Sequence, residues 1–148
     1  MPLHRILLIS NSTVYGRGYL DHVEDEIKEF LGNRKSILFF PFALKNWDGY
    51  AAKARERFAI LGYTLTSAHA VHDKVKAIEQ TDALFIGGGN TFRLLKTLQD
   101  LGLLEPIRHR AGEGMPYIGS SAGSNVAISA QIVPNRWTTQ NMPMLSPV

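Results

Sequence analysis

Short, uninterrupted apolar runs (Ile6–Ile9, Ile37–Phe40, Ala83–Ile86 and Met115–Gly119) are separated by stretches whose apolar residues recur every three or four positions. This alternation constrains the chain more than any other feature. A strand that is apolar at every position is buried on both faces, as in a parallel sheet. The helical stripes between the runs need an apolar surface to cover, and such a sheet supplies it. The expected fold class is α/β: a mostly parallel sheet with helices on both faces.

The elements can be placed with their punctuation. Tyr19, Leu20, Val23, Ile27, Phe30 and Leu31 form a stripe that stops at Gly32-Asn33. A second helix carries Tyr50, Ala51, Ala54, Phe58 and Leu61 and stops at Gly62. Tyr63 to Ala68 reads as a further strand, and Asp73 as the cap of a short helix through Val75 and Ile78. Asn90 caps a helix bearing Phe92, Leu95, Leu98 and Leu101, another helix covers Leu104 to Ala111, and a last one carries Val126 to Ile128. Pro134 to Val148 is polar, contains proline and shows no periodicity. With no linker or repeat, residues 1–148 read as one domain.

Composition narrows the function classes. The 148 residues carry no cysteine, so disulfides, thiolate metal sites and a cysteine nucleophile are excluded. A net charge of +3, with acidic residues interleaved among the basic ones, gives no nucleic-acid footprint. The run from Ile37 to Leu44, interrupted by Pro41, falls well short of the roughly 20 residues of a membrane span. The expectation is a cytoplasmic protein with no cofactor, nucleic-acid or membrane partner.

In such folds ligands collect at the carboxyl ends of strands. Two strand ends are unusual. Gly87-Gly88-Gly89-Asn90-Thr91 lets backbone approach a ligand and presents N–H groups at a helix start, although it serves equally as a tight turn. It lacks the spacing of a dinucleotide fingerprint and the lysine of a phosphate loop. Gly119-Ser120-Ser121-Ala122-Gly123 is a G-x-S-x-G run between strand and helix, the setting of a nucleophile elbow. Ser121 is then the nucleophile. An oxyanion hole needs the N–H of Ala122 and a second donor from a neighbouring strand end, for which Gly89 is the candidate. His69-x-x-His72 is the one histidine cluster, but it has no evident third metal ligand. Arg136 reads as a solvated loop residue.

These residues resemble peptidase E, the α-aspartyl dipeptidase family of serine peptidases. The likeness rests on L-L-I-S-N-S-T (Leu7 to Thr13), P-F-A (Pro41 to Ala43) with Trp47-Asp48 after it, G-G-G-N-T-F (Gly87 to Phe92) and Y-I-G-x-S-A-G-x-N (Tyr117 to Asn125). It runs from residue 3 to residue 143. The resemblance implies a sheet like that of class I glutamine amidotransferases and hydrolysis of dipeptides with N-terminal aspartate by a Ser-His-acid relay. It makes Ser121 the nucleophile, Gly89 and Ala122 the oxyanion donors, and Gly88, Asn90 and Thr91 substrate-binding residues.

The chain also departs from that pattern. The family's relay histidine lies in a stretch beyond Val148, and none of His4, His22, His69, His72 and His109 follows Ser121. Where the family reads T-N-D-M-P, this chain reads Thr139-Gln140-Asn141-Met142-Pro143, so Asn141 stands at the relay-acid position. The same exchange in a well-studied protease costs about 10⁴ in rate. The expectation is a dipeptidase-like protein, truncated before its relay histidine and weakly active or inactive alone. The alternative is a shortened, non-catalytic relative that binds peptides or a protein. A sheet edge left uncovered at the C-terminus would favour self-association.

Overall fold

The computed structural model describes residues 4–9, 20 and 23–132 and the backbone of 144–145. In chain order the elements are β1 (Arg5–Ile9), α1 (Glu24–Leu31), β2 (Ser36–Phe40), α2 (Trp47–Leu61), β3 (Thr64–Ser67), a 3₁₀ turn (Ala68–Ala70), α3 (Lys74–Gln80), β4 (Ala83–Ile86), α4 (Thr91–Asp100), α5 (Leu104–Gly112), β5 (Pro116–Ser120), α6 (Ala122–Ser129) and β6 (Met144–Leu145). The strands form one sheet in the order β3-β2-β4-β5-β1-β6. All its pairings are parallel.

Each central strand divides its side chains between two cores. Leu8, Leu38, Phe40, Leu84, Ile86 and Tyr117 face the side covered by α3 to α6. Ile9, Ile37, Phe39, Phe85 and Ile118 face α1 and α2. Burial on both faces is why these strands are apolar at every position. The edge strand β3 alternates instead between exposed and buried residues.

The expected caps are present. The Asn90 side chain accepts the Arg93 N–H at 2.9 Å and the Asp73 side chain accepts the Lys76 N–H at 3.1 Å. The expected stripe on α4 needs correction. Its buried residues are Leu94 and Leu98, while Phe92 is 78% and Leu101 44% exposed. A stripe drawn at a constant spacing of three drifts off the buried face of a 3.6-residue helix. The tail differs too: Met144 and Leu145 pair with Leu8 and Ile9, adding a short strand that the polar composition around it conceals. Tyr19 and His22 lie outside the described residues.

Asp82 secures the other end of the sheet. Its carboxylate accepts the N–H groups of Lys35 at 3.0 Å and Ser36 at 3.1 Å, and these bonds, Lys35 first, hold its pKa below the usual carboxylate value. A depressed folded pKa gives stability that is present above the unfolded value, about 3.9, and lost as pH falls through the folded one. Asp82→Asn is therefore expected to melt below the parent at pH 7, with the gap closing towards pH 2 as the carboxyl protonates. Thermal melts across that range measure it.

Candidate active site

Adjacent strands β4 and β5 deliver the glycine triplet and the elbow to the same end of the sheet. Ser121 leaves β5 at φ 51° and ψ −104°, backbone that an L residue adopts only under strain. The turn is tied down on every side. Ser121 N–H donates to the Ile9 carbonyl at 2.8 Å, while its own carbonyl accepts the Ser124 and Asn125 N–H groups at 2.9 and 3.0 Å. The Ser124 hydroxyl sits at 2.8 Å from Gly119 O and 3.2 Å from Ile9 O. Beneath, the buried Tyr117 hydroxyl donates to Gly123 O at 2.7 Å. Burial pushes that phenol's pKa far up, so it remains a neutral donor.

The flanking glycines are steric requirements. A Cβ on Gly119 would stand 2.8 Å from Gly123 O. A Cβ on Gly123 would collide with the Ile86 carbonyl, so α6 can lie against β4 only through a glycine. The triplet meets the elbow directly: a Cβ on Gly88 would be 3.0 Å from Ser121 Cβ and 3.1 Å from Ser120 O. Ser121 is half-buried at this junction, neither covered by packed side chains nor remote from the triplet.

The hydrogen bonds of the triplet single out one amide. Gly87 N–H goes to Phe40 O at 3.1 Å, Gly88 N–H to the Tyr50 hydroxyl at 2.8 Å and Asn90 N–H to Ala43 O at 2.9 Å. Gly89 N–H has no partner among the described residues, and Gly89 is exposed. Its φ of +138°, and an Ala43 carbonyl 2.6 Å from where its Cβ would be, admit glycine alone. Ala122 N–H, at the first position of α6, is likewise without a protein partner among the described residues. Of the other residues implicated by resemblance, Gly88 N–H is engaged by Tyr50 and the Asn90 side chain by the start of α4. Thr91 Oγ1 accepts from Asn125 Nδ2 at 3.1 Å, joining the starts of α4 and α6.

No imidazole hydrogen-bonds the Ser121 hydroxyl among the described residues. His69 is engaged elsewhere, with Nε2 2.7 Å from an Asp48 carboxylate oxygen and Nδ1 2.5 Å from the Ser67 hydroxyl. With Nε2–H assigned as the donor to Asp48, Nδ1 accepts from Ser67. The sheet order puts β3 three strand spacings from β5, or about 14 Å. His69 therefore belongs to a lock between the 3₁₀ turn and the start of α2. Among the described residues no three His, Asp or Glu side chains converge as metal ligands, and no helix is long and apolar enough to cross a membrane. Asn141 and Arg136 lie outside the described residues.

Tyr50 and the Ala43 carbonyl were not legible as site residues. Tyr50 reads as one position in an apolar stripe, and only the requirement that a buried phenol find a partner hints at more. The P-F-A turn buries Phe42 and presents the Ala43 carbonyl to the triplet, a role that its three residues alone do not reveal.

Comparison with known proteins places the chain in a family. The model of Peptidase family S51 matches residues 6–144. Peptidase E of Escherichia coli, in strains 536 and K12/DH10B, is 44% identical over 144 residues, 96% of this chain and 61% of the relative. The chain thus spans about three-fifths of the length of these curated relatives. Among solved structures, a candidate Peptidase E from Listeria monocytogenes EGD-e superposes with TM-score 0.66 at 23% identity, over 84% of this chain and 62% of that one. A peptidase from an acI-B1 actinobacterium gives TM-score 0.65 at 20% identity, over 82% and 56%. The sheet is therefore of the class I glutamine-amidotransferase-like kind expected from the sequence, and the chain belongs to Peptidase family S51.

Proposed function

We propose that Ser121 is the nucleophile of a serine-type dipeptidase whose oxyanion hole is formed by the N–H groups of Gly89 and Ala122, and whose substrates are dipeptides with N-terminal aspartate. One observation carries the reading: in the glycine run beside the strained serine, the neighbouring amides are spoken for and Gly89 N–H is left to donate. The substrate class is what the resemblance of these motifs to the α-aspartyl dipeptidase family implies, and the relatives named Peptidase E support it.

The chemistry is acyl transfer. Ser121 Oγ bonds to the scissile carbonyl carbon, and the carbonyl π pair moves onto oxygen between the two amides. Collapse breaks the C–N bond, the amine leaves with the proton taken from the serine, and water then hydrolyses the aspartyl ester. Each hole donor is typically worth about 2.7–4 kcal/mol in the transition state. The relay base and acid are not among the described residues. An amide at Asn141 stabilises an imidazolium far less than a carboxylate does, so turnover by these 148 residues is expected to be slow.

The test does not depend on turnover. A fluorophosphonate is expected to label Ser121, mapped by peptide mass, with the label absent from Ser121→Ala. Asp-Leu is expected to slow the labelling and Leu-Leu to leave it unchanged. Labelling spread equally over Ser120 and Ser124, or none at Ser121, sinks the nucleophile. Equal competition by both dipeptides sinks the substrate class.

A further inference from the structure

We infer that Tyr50 is a positioning residue of the oxyanion hole: by accepting the Gly88 N–H, its phenol pins the peptide plane from which the one carrying the Gly89 N–H hangs. This rests on the reading of Ser121 and Gly89 given above and deepens it.

Tyr50 lies in the first turn of α2, which is capped by the Asn46 side chain accepting Gly49 N–H at 2.9 Å. Its buried ring packs edge-on against Phe39, centroids 4.9 Å apart at 87°. The phenol oxygen emerges beneath the triplet, where it accepts the Gly88 N–H and would lie 2.5 Å from a Cβ on Gly87. Three successive glycines are the most freely rotating backbone the chain contains. The peptide plane between Gly88 and Gly89 holds the Gly89 N–H. The plane before it is pinned by Tyr50 and the plane after it by Asn90 N–H on Ala43 O. With both neighbours fixed, the Cα atoms of Gly88 and Gly89 are held in place, and the middle plane keeps only rotation about the axis that joins them.

Removing the phenol oxygen leaves a buried N–H unpaired, and the cheapest relief is rotation of the triplet. That rotation takes Gly89 N–H away from the oxyanion. A plain core-filling role for Tyr50 predicts something different, because phenylalanine fills the same space. Tyr50 does not touch the reacting atoms, so its effect must pass through the amide it holds.

The experiment compares the second-order rate of fluorophosphonate capture at Ser121, read by intact mass, in the parent, Tyr50→Phe, Phe39→Leu and Ser121→Ala. Tyr50→Phe is expected to slow capture roughly 10- to 100-fold, up to the lower end of what losing a hole donor costs. Phe39→Leu, which loosens the ring without touching the oxygen, is expected to lower the melting temperature and leave the rate within about twofold, a split that separates positioning from packing. Amide exchange in the parent gives an independent reading, with Gly88 and Asn90 protected and Gly89 exchanging fast. Tyr50→Phe captured at the parental rate, or a protected Gly89 amide, overturns the inference while leaving Ser121 as the nucleophile. A parent captured no faster than Ser121→Ala overturns the site reading and this inference with it.

Discussion

Gly123→Ala is expected to lower the melting temperature by roughly 10 °C, from a loss of about 3–5 kcal/mol. The new methyl would meet the Ile86 backbone carbonyl, and neither partner is a side chain that can swing aside. Helix α6 must therefore back away from β4. Doing so loosens Ala122, Val126 and Ala127 from the core and stretches the bond from the Tyr117 hydroxyl to Gly123 O. It also lifts the elbow off its anchor on Ile9 O. Gly102→Ala is the control. At φ +68° with nothing within 4 Å, it is expected to cost only about 1–2 kcal/mol, from the left-handed backbone alone. Calorimetry on the two variants separates steric exclusion from conformational preference. Equal losses would mean that α6 is not held by that contact.

Contacts of this kind mark the boundary of what the sequence can say. The β4 run Ala83–Ile86 and the caps Asp73 and Asn90 are legible because each is a local property: an unbroken apolar run, or a short polar side chain ahead of a helical stripe. The elbow is legible because G-x-S-x-G names its own geometry. Which amide of the triplet is left without a partner is not local. It depends on the order β2-β4-β5, which brings the Ala43 carbonyl and the Tyr50 phenol against a triplet some forty positions later in the chain. The misplaced stripe on α4 has a related cause. Phe92 is apolar and correctly spaced from Leu95, yet burial is decided by where α6 and the sheet lie, and these select Leu94 and Leu98. The Asp48–His69–Ser67 lock is illegible for the same reason: its residues come from α2, the 3₁₀ turn and β3, and only their packing joins them.

Ser121→Gly is expected to abolish covalent capture altogether and yet raise the folding stability by about 1 kcal/mol. The first effect follows from deleting the proposed nucleophile, a loss that in a serine protease reaches about 10⁶ in rate. The second follows from φ 51° and ψ −104° at a residue that bears a Cβ. Such backbone costs of the order of 1–3 kcal/mol, and glycine adopts it without that cost. Against the gain stands the larger freedom of glycine in the unfolded chain, about 0.5–1 kcal/mol, which leaves a modest net rise. Ser121→Ala keeps the Cβ and hence the strain, so it is expected to lose capture with stability unchanged. The pair therefore separates the two consequences of one residue. Both variants remove the hydroxyl, but only glycine relaxes the turn that Ile9 O, Ser124 and Asn125 hold in place. If Ser121→Gly melts no higher than Ser121→Ala, the turn stores no strain. The positive φ would then be an ordinary loop conformation, with no bearing on how the serine is presented.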